Sequence, residues 1–216
     1  MRLYAQRLSD EHAQADNREQ ARDRLLDYYL AMAGAADKCL RALPGMAVPD
    51  EFAGRDGALE WLDAERASLV PALTMAAETG RDQAAMRLPI TLTEYFGWRR
   101  RFDDWIAAAT ISLDAARRLG DQRGEGDALT ILGLALQEVR RFDEATTACQ
   151  DAAAIYRETG EGLALGGLGL ALQGARRFAE AITAYQDALE IYRETGDQYR
   201  EGITLNNLEA VQHGVI

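Results

Sequence analysis

The sequence predicts an all-α chain of antiparallel helix hairpins stacked in file as a right-handed superhelix, an α-solenoid with a helical cap at its N-terminus. Three observations carry that prediction. A segment recurs as RRFDDWIAAATISLDAARRLG from Arg100, RRFDEATTACQDAAAIYRETG from Arg140 and RRFAEAITAYQDALEIYRETG from Arg176. The glycines Gly80, Gly120, Gly160 and Gly196 close successive units at intervals of 40, 40 and 36 residues. Within each unit the apolar residues step by three and four, the period of one helix face.

The first predicted helix starts at Asn17, with Gln20 placed to cap it reciprocally. Ala21, Leu25, Tyr28, Met32, Ala35 and Cys39 then form its apolar stripe, and Pro44 stops it. Pro44 to Gly57 reads as a loop. The stretch ALEWLDAERASLVPALTMAAETG follows as one helix or a pair, with Pro71 expected to kink it. These two parts suit a cap on the array. The chain thus divides into an N-terminal helical segment and loop, 1–57, and a repeat array, 58–216, that ends in a single helix.

In the array each unit reads as two helices. Phe142, Ala145, Cys149, Ala152 and Tyr156 share one face of a second helix, and the terminal glycine suits a left-handed cap. Leu129, Leu132, Gly133 and Leu136 share a face of the first helix, echoed by Leu165, Leu168, Gly169 and Leu172 and begun again by Leu205, Leu208 and Glu209. Glycine in mid-helix costs about 1 kcal/mol against alanine. Its use at both Gly133 and Gly169 implies a partner helix passing too close for a side chain.

These positions resemble the tetratricopeptide repeat (TPR), most closely over residues 122–209, with Phe178, Ala181, Tyr185 and Ala188 completing the second match. The unit around Phe102 departs from the pattern, since Thr93 stands for the glycine and Trp105 for the small alanine. Phe52, Ala58-Leu59, Trp61-Leu62, Glu65-Arg66 and Leu69 are similar to the start of the TPR region in NB-ARC-type signal-transduction ATPase regulators of actinobacteria. Arg2-Leu3-Tyr4-Ala5 resembles the tail of the winged-helix piece that precedes it there. The resemblance implies a sensor portion without its ATPase engine, either excised from a regulator or a short relative.

Bulk chemistry narrows the function. A net charge of −11 argues against direct nucleic-acid binding and against an anionic membrane surface. The chain opens on no signal-peptide pattern and holds no long apolar run, so a cytoplasmic location is expected. Cys39 and Cys149 lie at core spacing and read as reduced thiols. His12 and His213 lie far apart, so neither a nucleophile–base pair nor a metal site is expected, and no cofactor. Asp103-Asp104 and Asp143-Glu144 recur with the repeat, as do the arginine pairs before each phenylalanine, which marks solvated turns; no enzyme is expected.

In TPR arrays the first helices line a concave groove. By that resemblance the candidate partner-binding residues are Arg87, Ile90 and Glu94; Asp127, Thr130, Leu134 and Gln137; Leu163, Gly166, Leu170 and Gln173; and Ile203 with Asn206. The shortened interval between Gly160 and Leu165, followed by Gly166, Gly167 and Gly169, suggests a notch flanked by Gln122 and Tyr199. The expected function is a protein–protein interaction and sensor module of a transcription-linked regulatory ATPase, binding a partner or its own parent domains. A peptide receptor using Asn206-Asn207 and a stand-alone assembly scaffold are the alternatives. Self-association stays open because the last helix is expected to expose Leu205, Leu208 and Val211.

Overall fold

Ten helices, and no strand, occur among the residues that the computed structural model describes, 17–43, 45–156 and 163–213. They are α1 (Arg18–Arg41), α2 (Gly54–Glu78), α3 (Asp82–Thr91), α4 (Thr93–Trp98), α5 (Phe102–Leu119), α6 (Gln122–Glu138), α7 (Phe142–Tyr156), α8 (Leu163–Gly174), α9 (Phe178–Thr195) and α10 (Gln198–Gln212).

Two kinds of bend set the path. Between hairpins the chain turns on left-handed glycines, Gly80, Gly120 and Gly196, at φ of 69°, 66° and 71°. The aspartates that follow the last two cap the next helix, Asp121 accepting from the Gly124 amide at 2.9 Å and Asp197 from the Arg200 amide at 3.1 Å. Within hairpins the left-handed residue is an arginine: Arg100, Arg140 and Arg176 have φ of 52°, 64° and 61°. The Arg140 amide donates to Gln137 O and the Arg141 amide to Leu136 O, the paired closure of a Schellman motif. The guanidinium of Arg100 then lies 5.0 Å over the Phe102 ring, and that of Arg140 5.9 Å over Phe142. The second arginine of the pair turns outward to an acid three residues on, Arg141 to Glu144 and Arg177 to Glu180 at 2.6 Å.

Stacking follows the expected file. The first helices meet directly, α1 on α3, α3 on α6, α6 on α8 and α8 on α10; of the second helices α2 also meets α5, while from α5 onward α5, α7 and α9 pack chiefly on first helices. A row in contact on one side and spread on the other must curve, with the first helices on the concave side. The two glycines work as the spacing implied. A β-carbon on Gly133 would lie 2.4 Å from Cys149 Sγ, and one on Gly169 would lie 2.5 Å from the Tyr185 ring.

Three expectations need correction. Asn17 is left-handed and makes no side-chain cap, so the reciprocal cap does not form. The stripe chosen for α1 is off by one: Leu25 and Tyr28 are 40% and 48% exposed, whereas Leu26, Tyr29, Ala33, Ala36 and Leu40 are buried against α2 and α3 with Ala35 and Cys39. The helix after the loop begins at Gly54, ahead of the loop end expected at Gly57, and is one helix with Pro71 inside it. A break falls at Leu92, between α3 and α4, just after Pro89, which removes a backbone donor inside α3. Across this weak point Ser112 of α5 donates a buried 2.7 Å hydrogen bond to Met86 O.

The last helix also departs from expectation. Leu208 and Val211 are buried and Leu205 is half-buried in a cluster with Tyr185 and Leu189 of α9. The helix lays its apolar face back on its neighbour, and that face is not left open. Ile203 is the exposed large apolar residue of α10, at 45%.

Candidate functional site

The concave side holds a cavity of about 510 Å³. Its floor is apolar and comes from the first helices: Ile90 of α3, Ile131 and Leu134 of α6, Leu170 of α8 and Ile203 of α10. Gly166 and Gly167 keep the α8 wall low. A β-carbon on Gly166 would stand 3.1 Å from Tyr192 Oη, and one on Gly167 would meet Cys149 Sγ at 3.4 Å. Polar groups ring the floor: Glu94 of α4, Asp127 and Glu138 of α6, and Tyr199, Arg200 and Asn207 of α10. Asp37 and Arg41 of α1 complete the wall, so both the first and the last described helix face one space.

Two of the carboxylates sit in a poorly hydrated setting. Burial pushes Asp37 up to about 6, against the pull of Arg41 and Arg200, and Glu94 adds to the rise. Arg41 Nη1 stands 3.7 Å from Asp37 Oδ2, beyond hydrogen-bond length. Burial also raises Asp127, opposed by the hydrogen bond that Tyr156 Oη donates to its Oδ1 at 2.5 Å. Tyr192 is pushed up to about 12, mainly by burial. Arg200 Nη1 is held 2.6 Å from Asp197 Oδ2. Chemically the place can bind and orient; a hydrated guest would exchange water for an apolar floor and a charged rim.

Of the positions read from the sequence, Ile90, Glu94, Asp127, Leu134, Gly166, Leu170 and Ile203 come together on this wall. Others do not. Arg87 is exposed and off the wall, and Gln137 is half-buried off it. Thr130 is fully buried and donates to Gly126 O at 2.9 Å. Gln173 Oε1 accepts from Tyr185 Oη at 2.8 Å. Asn206 is exposed, and Asn207 lines the cavity in its place. Leu163 opens α8, but its side chain lies outside the described residues, as do Arg2-Leu3-Tyr4-Ala5, His12, Gly160 and most of the shortened interval. Of the flanks proposed for a notch, Tyr199 reaches the cavity and Gln122 is exposed away from it. Asp37, Arg41, Glu138 and Arg200 were not singled out; for α1 the missed signal is the Asp37–Arg41 pair four residues apart on a helix otherwise read as a cap.

Elsewhere, Cys39 and Cys149 are buried free thiols, and burial pushes Cys149 up to about 12. Among the described residues no three His, Cys, Asp or Glu side chains gather as metal ligands, and no helix is long and apolar enough to cross a membrane.

Comparison with known proteins agrees with this geometry. Residues 125–194 match the family described as Tetratricopeptide repeat. The fold is a tetratricopeptide-type solenoid. The Regulatory protein AfsR of Streptomyces griseus is 30% identical to the chain over 168 residues, which cover 73% of this chain and 17% of that protein. The TPR solenoid described here therefore spans about a sixth of that relative's length.

Proposed function

We propose that this chain is the interaction and sensor portion of a regulatory, transcription-linked ATPase of the NB-ARC type, and that its concave cavity takes a segment of a partner protein or of the parent's own domains. One observation carries the reading: an apolar-floored cavity built from successive first helices and walled by both end helices. A TPR array implies protein–protein interaction, and similarity to a protein named as regulatory points to the regulatory setting. The ATPase setting rests on the resemblance of the Phe52–Leu69 stretch. The same reading makes the chain cytoplasmic, non-catalytic and not itself a nucleic-acid binder. It is supported by two of the repeat-period acids, Glu144 and Glu180, which are engaged in exposed ion pairs with Arg141 and Arg177. The scaffold alternative loses its motive, since Leu208 and Val211 are covered.

Calorimetric titration of the chain with a purified ATPase core of such a regulator tests this. Binding that disappears in Ile203→Trp, which fills the cavity from an exposed position, supports it. Failure of the core and of every displayed peptide to bind sinks it.

A further inference from the structure

We propose that the cavity recognises a basic side chain, arginine or lysine, on a partner segment whose neighbouring residues are apolar. The inference rests on the interaction reading above and adds the chemistry of the guest. The floor is hydrocarbon, whereas the wall carries four carboxylates, Asp37, Glu94, Asp127 and Glu138, against two guanidiniums, Arg41 and Arg200.

Those two cations do not balance the acids. Arg200 is hydrogen-bonded to Asp197 at 2.6 Å, a residue off the cavity wall, and only pulls at longer range on Asp37 and Asp127. Arg41 stays 3.7 Å from Asp37, an ion pair without a hydrogen bond. Tyr156 occupies one oxygen of Asp127, and a carboxylate accepts several more bonds. The wall therefore offers acceptors in excess of donors, three of them half-buried (Asp37, Glu94 and Asp127) and one, Glu138, exposed at the rim. A guanidinium brings five donors and no acceptor, and its planar fork matches a carboxylate pair. An acidic guest would meet an excess of like charge, with Asp37 and Asp127 only partly hydrated. The chain's charge of −11 would also draw a basic segment in from solution.

A proton linkage comes with this arrangement. Asp37 is faced by Arg41 on its own helix, by Glu94 from α4, and by Arg200 and Tyr199 from α10. Burial holds it near 6, so a bound cation would favour its charged form, and acid would oppose binding.

The test is selection of random 12-residue peptides displayed on phage against the whole immobilised chain, keeping those that Ile203→Trp no longer binds. The best peptide and its Arg/Lys→Gln counterpart are then titrated calorimetrically against the wild type, Asp37→Asn and Asp127→Asn, each checked to melt no lower than the wild type. Expected are basic residues between apolar ones, at least about tenfold weaker binding of the Gln peptide and of each Asn variant, and a loss of about tenfold for the basic peptide between pH 7 and pH 5. Cavity-dependent peptides that are neutral or acidic, or a Gln peptide that binds as well as its parent, overturn the charge inference and leave the interaction reading standing. If no peptide depends on the cavity, the charge inference falls, and the interaction reading falls with it when the ATPase core also fails to bind.

Discussion

Arg100, Arg140 and Arg176 hold a left-handed backbone that disfavours any residue with a β-carbon, at a cost of about 1–2 kcal/mol each. Two of them recover part of it, about 0.5–1 kcal/mol, by lying over the following phenylalanine. Arg176 makes no such ring contact among the described residues. Arg176→Gly is therefore expected to stabilise the chain by about 0.5–1 kcal/mol, and Arg100→Gly to be near neutral, in urea denaturation. Asp37 poses the opposite question. Its value near 6 lies above its ordinary 3.8, so the folded state holds the proton more tightly than the unfolded one. The cost of burying the charge is full above about pH 6, fades as pH falls, and is gone below about pH 4. Asp37→Asn should gain about 2–3 kcal/mol at pH 7 and nothing near pH 4, read from denaturation curves at both. A residue that weakens the fold while facing a cavity fits a cost retained for binding.

At the scale of the helix, close approach decides what is tolerated. Gly133→Ala would gain about 1 kcal/mol of helix propensity, but its β-carbon would sit 2.4 Å from Cys149 Sγ. Overpacking of about 1–3 kcal/mol wins, so a net loss of stability is expected. Adding Cys149→Ala removes the sulfur and should recover part of that loss; the Ala145 carbonyl, 3.3 Å from the same β-carbon, limits the recovery. A double-mutant cycle by thermal melting measures it. The hairpins were legible because their spacing repeats, so each unit checks the next. The face of α1 was not: Leu25-Leu26, Tyr28-Tyr29, Ala35-Ala36 and Cys39-Leu40 are doublets, and either stripe keeps the helical period. Only the packing of α2 and α3 chooses between them. The break at Leu92 was not legible because a proline's effect depends on its setting: exposed Pro71 sits inside the continuous α2, while Pro89 is buried just before the break.

Over the whole molecule, burial is organised as separate clusters. One runs from Leu26 to Ala135, and another gathers Leu172, Tyr185, Leu189, Leu208 and Val211. Tyr185→Ala should cost the second about 3–5 kcal/mol. Hydrogen exchange should then quicken across 163–213 while protection in 54–119 stays as in the wild type; equal loss in both would mean one cooperative core. The floor of the cavity was legible from repeat positions, since first helices recur with their inner faces in register. Its closure was not, because Asp37 and Arg200 are far apart in the chain and meet only through the curvature that many hairpins add up.

That closure has a mechanical consequence. Because α1 and α10 both line one chamber, its width depends on how tightly the coil is wound. A slight unwinding shared among the hairpins would draw them apart before any helix melted. A guest that touched both would then favour the tighter winding, and a pull that slackened the spring would weaken its hold.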